Sequence, residues 1–152
     1  MKIKKAFEKD LETVKSITYT TIKAVYPYYY PTGAVDFFLK HHSDENIRRD
    51  IESGRVYLIS DENGEIAGTV TIAENHINRL FVLPKYQGRG YGGELIRFAE
   101  EKIAEEYDNI EIDASFSAKS IYIRKGYKFA EYNLIKTDNG DFLCYDVMKK
   151  EL

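Results

Sequence analysis

The 152-residue chain has one cysteine, Cys144, no tryptophan, two methionines and three prolines. A single thiol cannot build a disulfide scaffold, which excludes the small secreted frameworks and points to a reducing, cytoplasmic compartment. No apolar run approaches the roughly 18 residues needed to cross a bilayer. The basic start, Lys2, Lys4 and Lys5, leads into an acidic, polar-interrupted segment rather than the apolar core of a signal sequence. No membrane partner is therefore expected. Neither sign of charge dominates: 22 Lys plus Arg stand against 25 Asp plus Glu, a net charge of −3. The charges are interspersed, so no basic patch wide enough for a nucleic-acid backbone is legible. Repeats, linkers and low-complexity stretches are missing too, which leaves residues 1–152 as one domain. What is present is ample for a core: 43% of residues are apolar and 14% aromatic. A small polar substrate is the starting expectation.

The hydrophobic period changes along the chain. Lys2 to Phe7 reads as a strand, and from Glu8 the residues Leu11, Val14, Ile17, Ile22 and Val25 recur at helical spacing. Pro27 ends that helix near Tyr26 and makes Tyr26 to Gly33 a loop dense in aromatic rings. Those rings either wall a pocket or pack the helices onto a sheet. A second helical stretch begins at Ala34, pauses at His41-His42 and restarts with Ser43 as N-cap, until Gly54 closes it. The period then falls to two. Arg55 to Ser60 and Glu65 to Ala73 flank Asn63-Gly64, a strong hairpin signal, and His76 to Val82 adds a third strand. An amphipathic helix follows, with Gly92, Leu95, Ile96, Ala99 and Ile103 on one face. Asn109 to Ala114 is a strand, Ser117 to Lys125 a short helix stopped by Gly126, and Lys128 to Lys136 with Phe142 to Met148 a last hairpin. His41 and His42, with no cysteine partner and no His-x-x-x-His spacing, read as surface residues, and no metal is expected. Arg79 and Arg124 read as surface charges or aids to a bound phosphate.

Gly88-Arg89-Gly90-Tyr91-Gly92-Gly93 joins a strand to a helix start. Unpaired amides there point at an anion, the helix dipole favours negative charge, and glycines let a phosphate approach the backbone. The plainer alternative is a tight turn with close helix-to-sheet packing. A Walker A loop is excluded, because no Gly-Lys-Ser or Gly-Lys-Thr occurs. The cluster also satisfies G-x-G-x-x-G, with Glu111 about twenty residues on, as a dinucleotide-binding enzyme would have it. Against that reading, Pro84-Lys85-Tyr86-Gln87 separate the strand from the first glycine, and the strand belongs to a meander.

The stretch Gln87-Gly88-Arg89-Gly90-Tyr91-Gly92, after a strand ending in Phe81-Val82-Leu83-Pro84, resembles the phosphate loop of the GNAT superfamily of acetyl-CoA-dependent N-acetyltransferases. A second landmark is similar: Ala118-Lys119-Ser120-Ile121-Tyr122-Ile123-Arg124-Lys125-Gly126-Tyr127. The resemblance implies an α+β fold with a mixed, mostly antiparallel sheet of about seven strands flanked by four helices, in the order β-α-α-β-β-β-α-β-α-β-β. The sheet would splay where the cofactor strand meets the strand of residues 109–114. The resemblance implies acetyl-CoA as co-substrate, bound by Phe81, Val82, Leu83, Gln87, Gly88, Arg89, Gly90, Tyr91, Gly92, Ser115 and Tyr122. Its acceptor would be a small-molecule or peptide amine that attacks directly in a ternary complex. A Val82 N–H would face the thioester carbonyl, and Tyr122 would protonate the departing thiolate. His76, at the start of the cofactor strand, is a candidate base, with Asp113 and Glu74 as lesser ones and a base acting through water as a further route. The bland alternatives are a packing aromatic for Tyr122 and an exposed hairpin residue for His76. A homodimer is compatible with the family, and a non-catalytic acyl-CoA sensor is the rival function.

Overall fold

The computed structural model describes residues 1–152. Seven strands form one sheet: β1 (Lys2–Lys5), β2 (Val56–Ser60), β3 (Ile66–Ala73), β4 (His76–Val82), β5 (Asn109–Ala114), β6 (Lys128–Lys136) and β7 (Phe142–Glu151). Their spatial order is β1-β2-β3-β4-β5-β7-β6. Every neighbouring pair is antiparallel except β4 and β5. The exception follows from the connection: β4 and β5 are joined by a single-helix crossover that brings the chain back in the same direction, whereas β2–β3, β3–β4 and β6–β7 are joined by short turns that reverse it. That helix is α4 (Tyr91–Ile103).

One face of the sheet carries α4 and α5 (Lys119–Arg124), and the other carries α1 (Leu11–Val25), α2 (Thr32–His41) and α3 (Asp44–Glu52). Leu95, Ile96, Ala99 and Ile103 of α4 are buried against Val70, Ile77 and Ile110. Leu11, Val14, Ile17 and Ile22 of α1 are buried with Ile47, Ile51 and Leu58 on the opposite face. Each Val, Leu or Ile side chain so buried contributes about 1.5–3 kcal/mol. The interrupted second helical stretch is a full break between α2 and α3. The Ser43 hydroxyl accepts the Asn46 N–H at 3.3 Å there, the N-cap that the sequence pattern anticipates.

Two local irregularities shape the middle of the sheet. The first is a bulge in β4: Thr71 pairs with Arg79 and Ile72 with Ile77, so Asn78 is an extra residue. Beyond it, Arg79 and Phe81 face the α1–α3 layer while Leu80 and Val82 face α4. The second is the brevity of the β4–β5 pairing, which is confined to His76 with Glu111 and Ile77 with Ile112. Past those residues the strands diverge, and the sheet opens into a wedge.

Candidate active site

Two cavities occupy that wedge. The first, of about 360 Å³, lies on the α4 side. Its walls include Val82, Gln87, Gly88, Gly90, Gly92 and Tyr122. The second, of about 180 Å³, lies toward α1–α3, with Phe38, His42, Arg79, Asp113, Leu143 and Tyr145 on its walls. Tyr26, Leu80, Phe81, Ser115, Ala118 and Tyr122 line both. The cavities therefore meet at these side chains, two of which are buried phenols.

The α4-side cavity is furnished by main chain. Gly88 and Gly90 hold φ of 72° and 90°, the left-handed region that residues with a Cβ rarely enter. None of the backbone amides from Gly88 to Gly93 donates a hydrogen bond within the chain. They stand at the positive end of the α4 dipole, with Lys125 beside Gly93. Gln87 fastens this loop to the strand, its Nε2 donating to the Val82 carbonyl at 2.9 Å. Leu83 N–H donates to the Ala67 carbonyl at 2.9 Å, which sets the alternation along β4. Phe81 and Arg79 bond toward β3, so the N–H groups of Leu80 and Val82 point into the wedge, where β5 has moved away. Such open amides on a strand edge can bond an extended amide-bearing chain as an extra strand would.

The junction is built from both helical layers. A tight turn over Tyr26–Tyr28 ends α1, and the Tyr30 N–H donates to the Tyr26 carbonyl at 2.9 Å. That turn points Tyr26 and Tyr30 inward and leaves Tyr28 and Tyr29 exposed. The aromatic loop thus divides between wall and surface. The Phe116 N–H donates to the Tyr30 hydroxyl at 2.8 Å, and the two rings stack at 5.1 Å, which ties the end of α1 to the loop after β5. Tyr122 sits on α5, anchored by the ion pair of Lys119 with buried Asp146 and by ring contact with Tyr127 at 5.6 Å. Burial drives the Tyr122 phenol far above its ordinary pKa. It pushes Tyr26 up to about 12, with the Ser115 hydroxyl opposing the shift. Both carry a neutral hydroxyl at any physiological pH.

The residues singled out in the sequence do not all converge. Phe81, Val82, Gln87, Gly88, Gly90, Gly92, Ser115 and Tyr122 line the α4-side cavity. Leu83, Arg89 and Tyr91 do not: Leu83 packs against both cores, Arg89 is exposed, and the Tyr91 ring is buried 5.3 Å from that of Tyr86. His76 lies on neither wall, but its Nε2 is 3.5 Å from Asp113, which lines the smaller cavity. Glu74 is exposed in the β3–β4 turn, and Arg124 is at the surface as expected.

Two expectations are corrected. His42 and Arg79 are not surface residues but are each 5% exposed. The β4 bulge turns Arg79 inward, and the break between α2 and α3 lays the His42 ring edge-on against Phe81 at 5.6 Å. Arg79 then donates to His42 Nδ1 at 3.1 Å, to the Thr71 hydroxyl at 2.9 Å and to Asp50 at 3.1 Å. The dinucleotide reading also fails: Glu111 is engaged by Lys149 at 2.7 Å, and β4-α4-β5 is the one parallel unit in the sheet.

The site is thus a splayed mixed sheet with an amide-lined helix start on one side and an adjoining cavity on the other. A family model, the acetyltransferase (GNAT) domain, matches residues 25–151, and the chain belongs to this family of acetyl-CoA-dependent N-acetyltransferases. The fold is shared with solved structures. A GCN5-related N-acetyltransferase from Rhodopseudomonas palustris is 23% identical with a TM-score of 0.89, over 99% of this chain and 95% of that one. A PaiA N-acetyltransferase from Thermoplasma acidophilum, solved in complex with coenzyme A, is 20% identical with a TM-score of 0.77, over 99% and 98%. The ribosomal-protein-S18-alanine N-acetyltransferase from Escherichia coli is 14% identical with a TM-score of 0.70, over 99% and 92%. No curated protein matches the chain in sequence.

Proposed function

We propose that the protein moves the acetyl group of acetyl-CoA directly onto a primary amine seated in the smaller cavity, with both substrates bound together. The observation that carries this reading is the meeting of the two cavities at Tyr26, Phe81, Ser115 and Tyr122. The residues fit the co-substrate: the unpaired amides of Gly88 to Gly93 suit a pyrophosphate, and the open amides of Leu80 and Val82 suit an extended pantetheine arm. Acetyl-CoA supplies an activated carbonyl and a thiolate leaving group. The Val82 N–H stabilises negative charge on that carbonyl oxygen, a contribution of a few kcal/mol for one well-placed donor. Tyr122, kept protonated by burial, donates to the departing sulfur. Asp113, backed by His76 at 3.5 Å, receives the amine proton from the cavity wall. Cys144 lies mid-strand in β7 and lines neither cavity, which favours direct attack over an acetyl-enzyme.

No helix is long and apolar enough to cross a membrane, and we assign the reaction to the cytoplasm on the chain's single thiol. Exposed Phe129, Tyr132, Leu134 and Phe142 along β6 and β7 support a homodimer. Calorimetric titration tests the core of the proposal. Acetyl-CoA is expected to bind in the micromolar range and NAD not at all; binding of NAD alone would overturn it. Acetyl-CoA binding without turnover of any amine would favour the sensor.

A further inference from the structure

The smaller cavity holds one polar group that acetyl transfer leaves unexplained. Arg79 is buried on β4, and its Nε donates to His42 Nδ1. A guanidinium has no lone pair to offer, so Nδ1 must be the acceptor and the neutral ring carries its proton on Nε2. Protonating Nδ1 would break that bond and set two cations face to face. Nε2–H has no partner in the chain, and the ring lines the cavity. His42 is held in place by contact with Phe81 at 5.6 Å and His41 at 5.1 Å. The group is a fixed donor with nothing to donate to except a molecule in the cavity.

We infer that His42 selects the acceptor, its Nε2–H taking a neutral carbonyl oxygen on the body of the amine. The acceptor class is an amine that carries an amide carbonyl on an apolar frame. This rests on the acetyl-transfer reading of the same cavity. The frame is apolar because Phe37, Phe38, Ile135 and Leu143 face it. The carbonyl is neutral because the cavity has no cation to spare. Arg79 is matched by Asp50 at 3.1 Å, and Asp113 adds a negative charge to the wall, so a free carboxylate would be repelled.

The test uses three aromatic amines, phenylalaninamide, phenylalanine and phenethylamine, with thiol release from acetyl-CoA as the readout. The wild type should favour phenylalaninamide over phenethylamine by roughly tenfold in kcat/KM per free amine, the effect of one hydrogen bond in a closed site. Phenylalanine should be the poorer acid-bearing analogue. In H42N the new side-chain carbonyl accepts from Arg79 in place of Nδ1, and the amide N–H groups, bonded to Cγ, stop one atom short of where the Nε2–H reached. The preference should fall to about one while acetyl-CoA affinity holds. Dividing the wild-type ratio by that of H42N cancels the differing basicity of the two amines. Should H42N fail to fold, the direction of the wild-type ratio decides: phenylalaninamide is the less basic and less nucleophilic amine, so a preference for it per free amine runs against intrinsic reactivity and supports the hydrogen bond, and a ratio of one or less overturns it. Equal rates in the wild type, a ratio unchanged in H42N, or no turnover of any of the three with acetyl-CoA bound would overturn the assignment of His42. Failure of acetyl-CoA to bind would instead remove the reading beneath it.

Discussion

The two cavities of the wedge are made of different material. On the α4 side, away from the shared junction, the unpaired polar groups are main-chain amides supplied by one contiguous stretch, from Leu80 to Gly93. On the α1–α3 side they are side chains gathered from afar: His42, Arg79 and Asp113 come from a helix end, a bulged strand and β5, with Asp50 of α3 behind Arg79. A main-chain site depends on backbone conformation and is indifferent to most side chains. A side-chain site depends on packing that brings distant residues together. The first suits a co-substrate common to a family, and the second suits an acceptor peculiar to one member.

The difference can be broken most severely at Asp50. Asp50→Ala leaves the buried Arg79 charge without its carboxylate, and loss of one partner from such a pair costs about 3–5 kcal/mol. Chemical denaturation should register that loss, and a variant as stable as the wild type would show the pair to be dispensable. The main-chain site should be sensitive where the backbone is left-handed and tolerant where it is not. Gly90→Val, at φ 90°, should weaken acetyl-CoA binding through about 1–3 kcal/mol of strain. Gly92→Ala should change it little, since its Cβ would meet Val82 at an ordinary 3.8 Å. Calorimetry on the two variants reads the contrast, and equal effects would erase it.

A smaller effect should appear in stability against pH. Burial, with the Arg79 and His41 charges adding to it, lowers the His42 pKa from 6.5 to about 2. An unfolded His42 binds a proton below pH 6.5 that the folded one refuses, so stability contributed by the neutral ring is present above 6.5 and is lost as pH falls. The loss approaches about 1.4 kcal/mol for each pH unit. Between pH 6.5 and 5 the unfolding free energy of H42N should fall less steeply than that of the wild type. Parallel slopes would mean that His42 is not held neutral.

The same contrast explains what was legible in the sequence. The hairpin at Asn63-Gly64, the Ser43 cap and the strand-to-helix glycine loop are local, and each appears where its residues indicate. The splay follows from the family resemblance and is visible as a β4–β5 ladder that stops at Ile77. Arg79 escaped because its direction depends on the one-residue bulge at Asn78, which no periodicity announces. His42 escaped because its partner is 37 residues away. Tyr26 was visible only as one ring in an aromatic loop. The turn that ends α1 separates it and Tyr30 from their exposed neighbours, and that choice is made by packing against Phe38 and Phe81.

The main-chain site and the side-chain site touch at Tyr122. The most direct measurement is steady-state turnover of Tyr122→Phe beside calorimetry of its acetyl-CoA binding. Removing only the hydroxyl should lower kcat by about a hundredfold or more while affinity for acetyl-CoA is retained. Undiminished turnover would contradict the assignment of Tyr122 as the proton donor, and with it the claim that the junction of the two cavities is where transfer occurs.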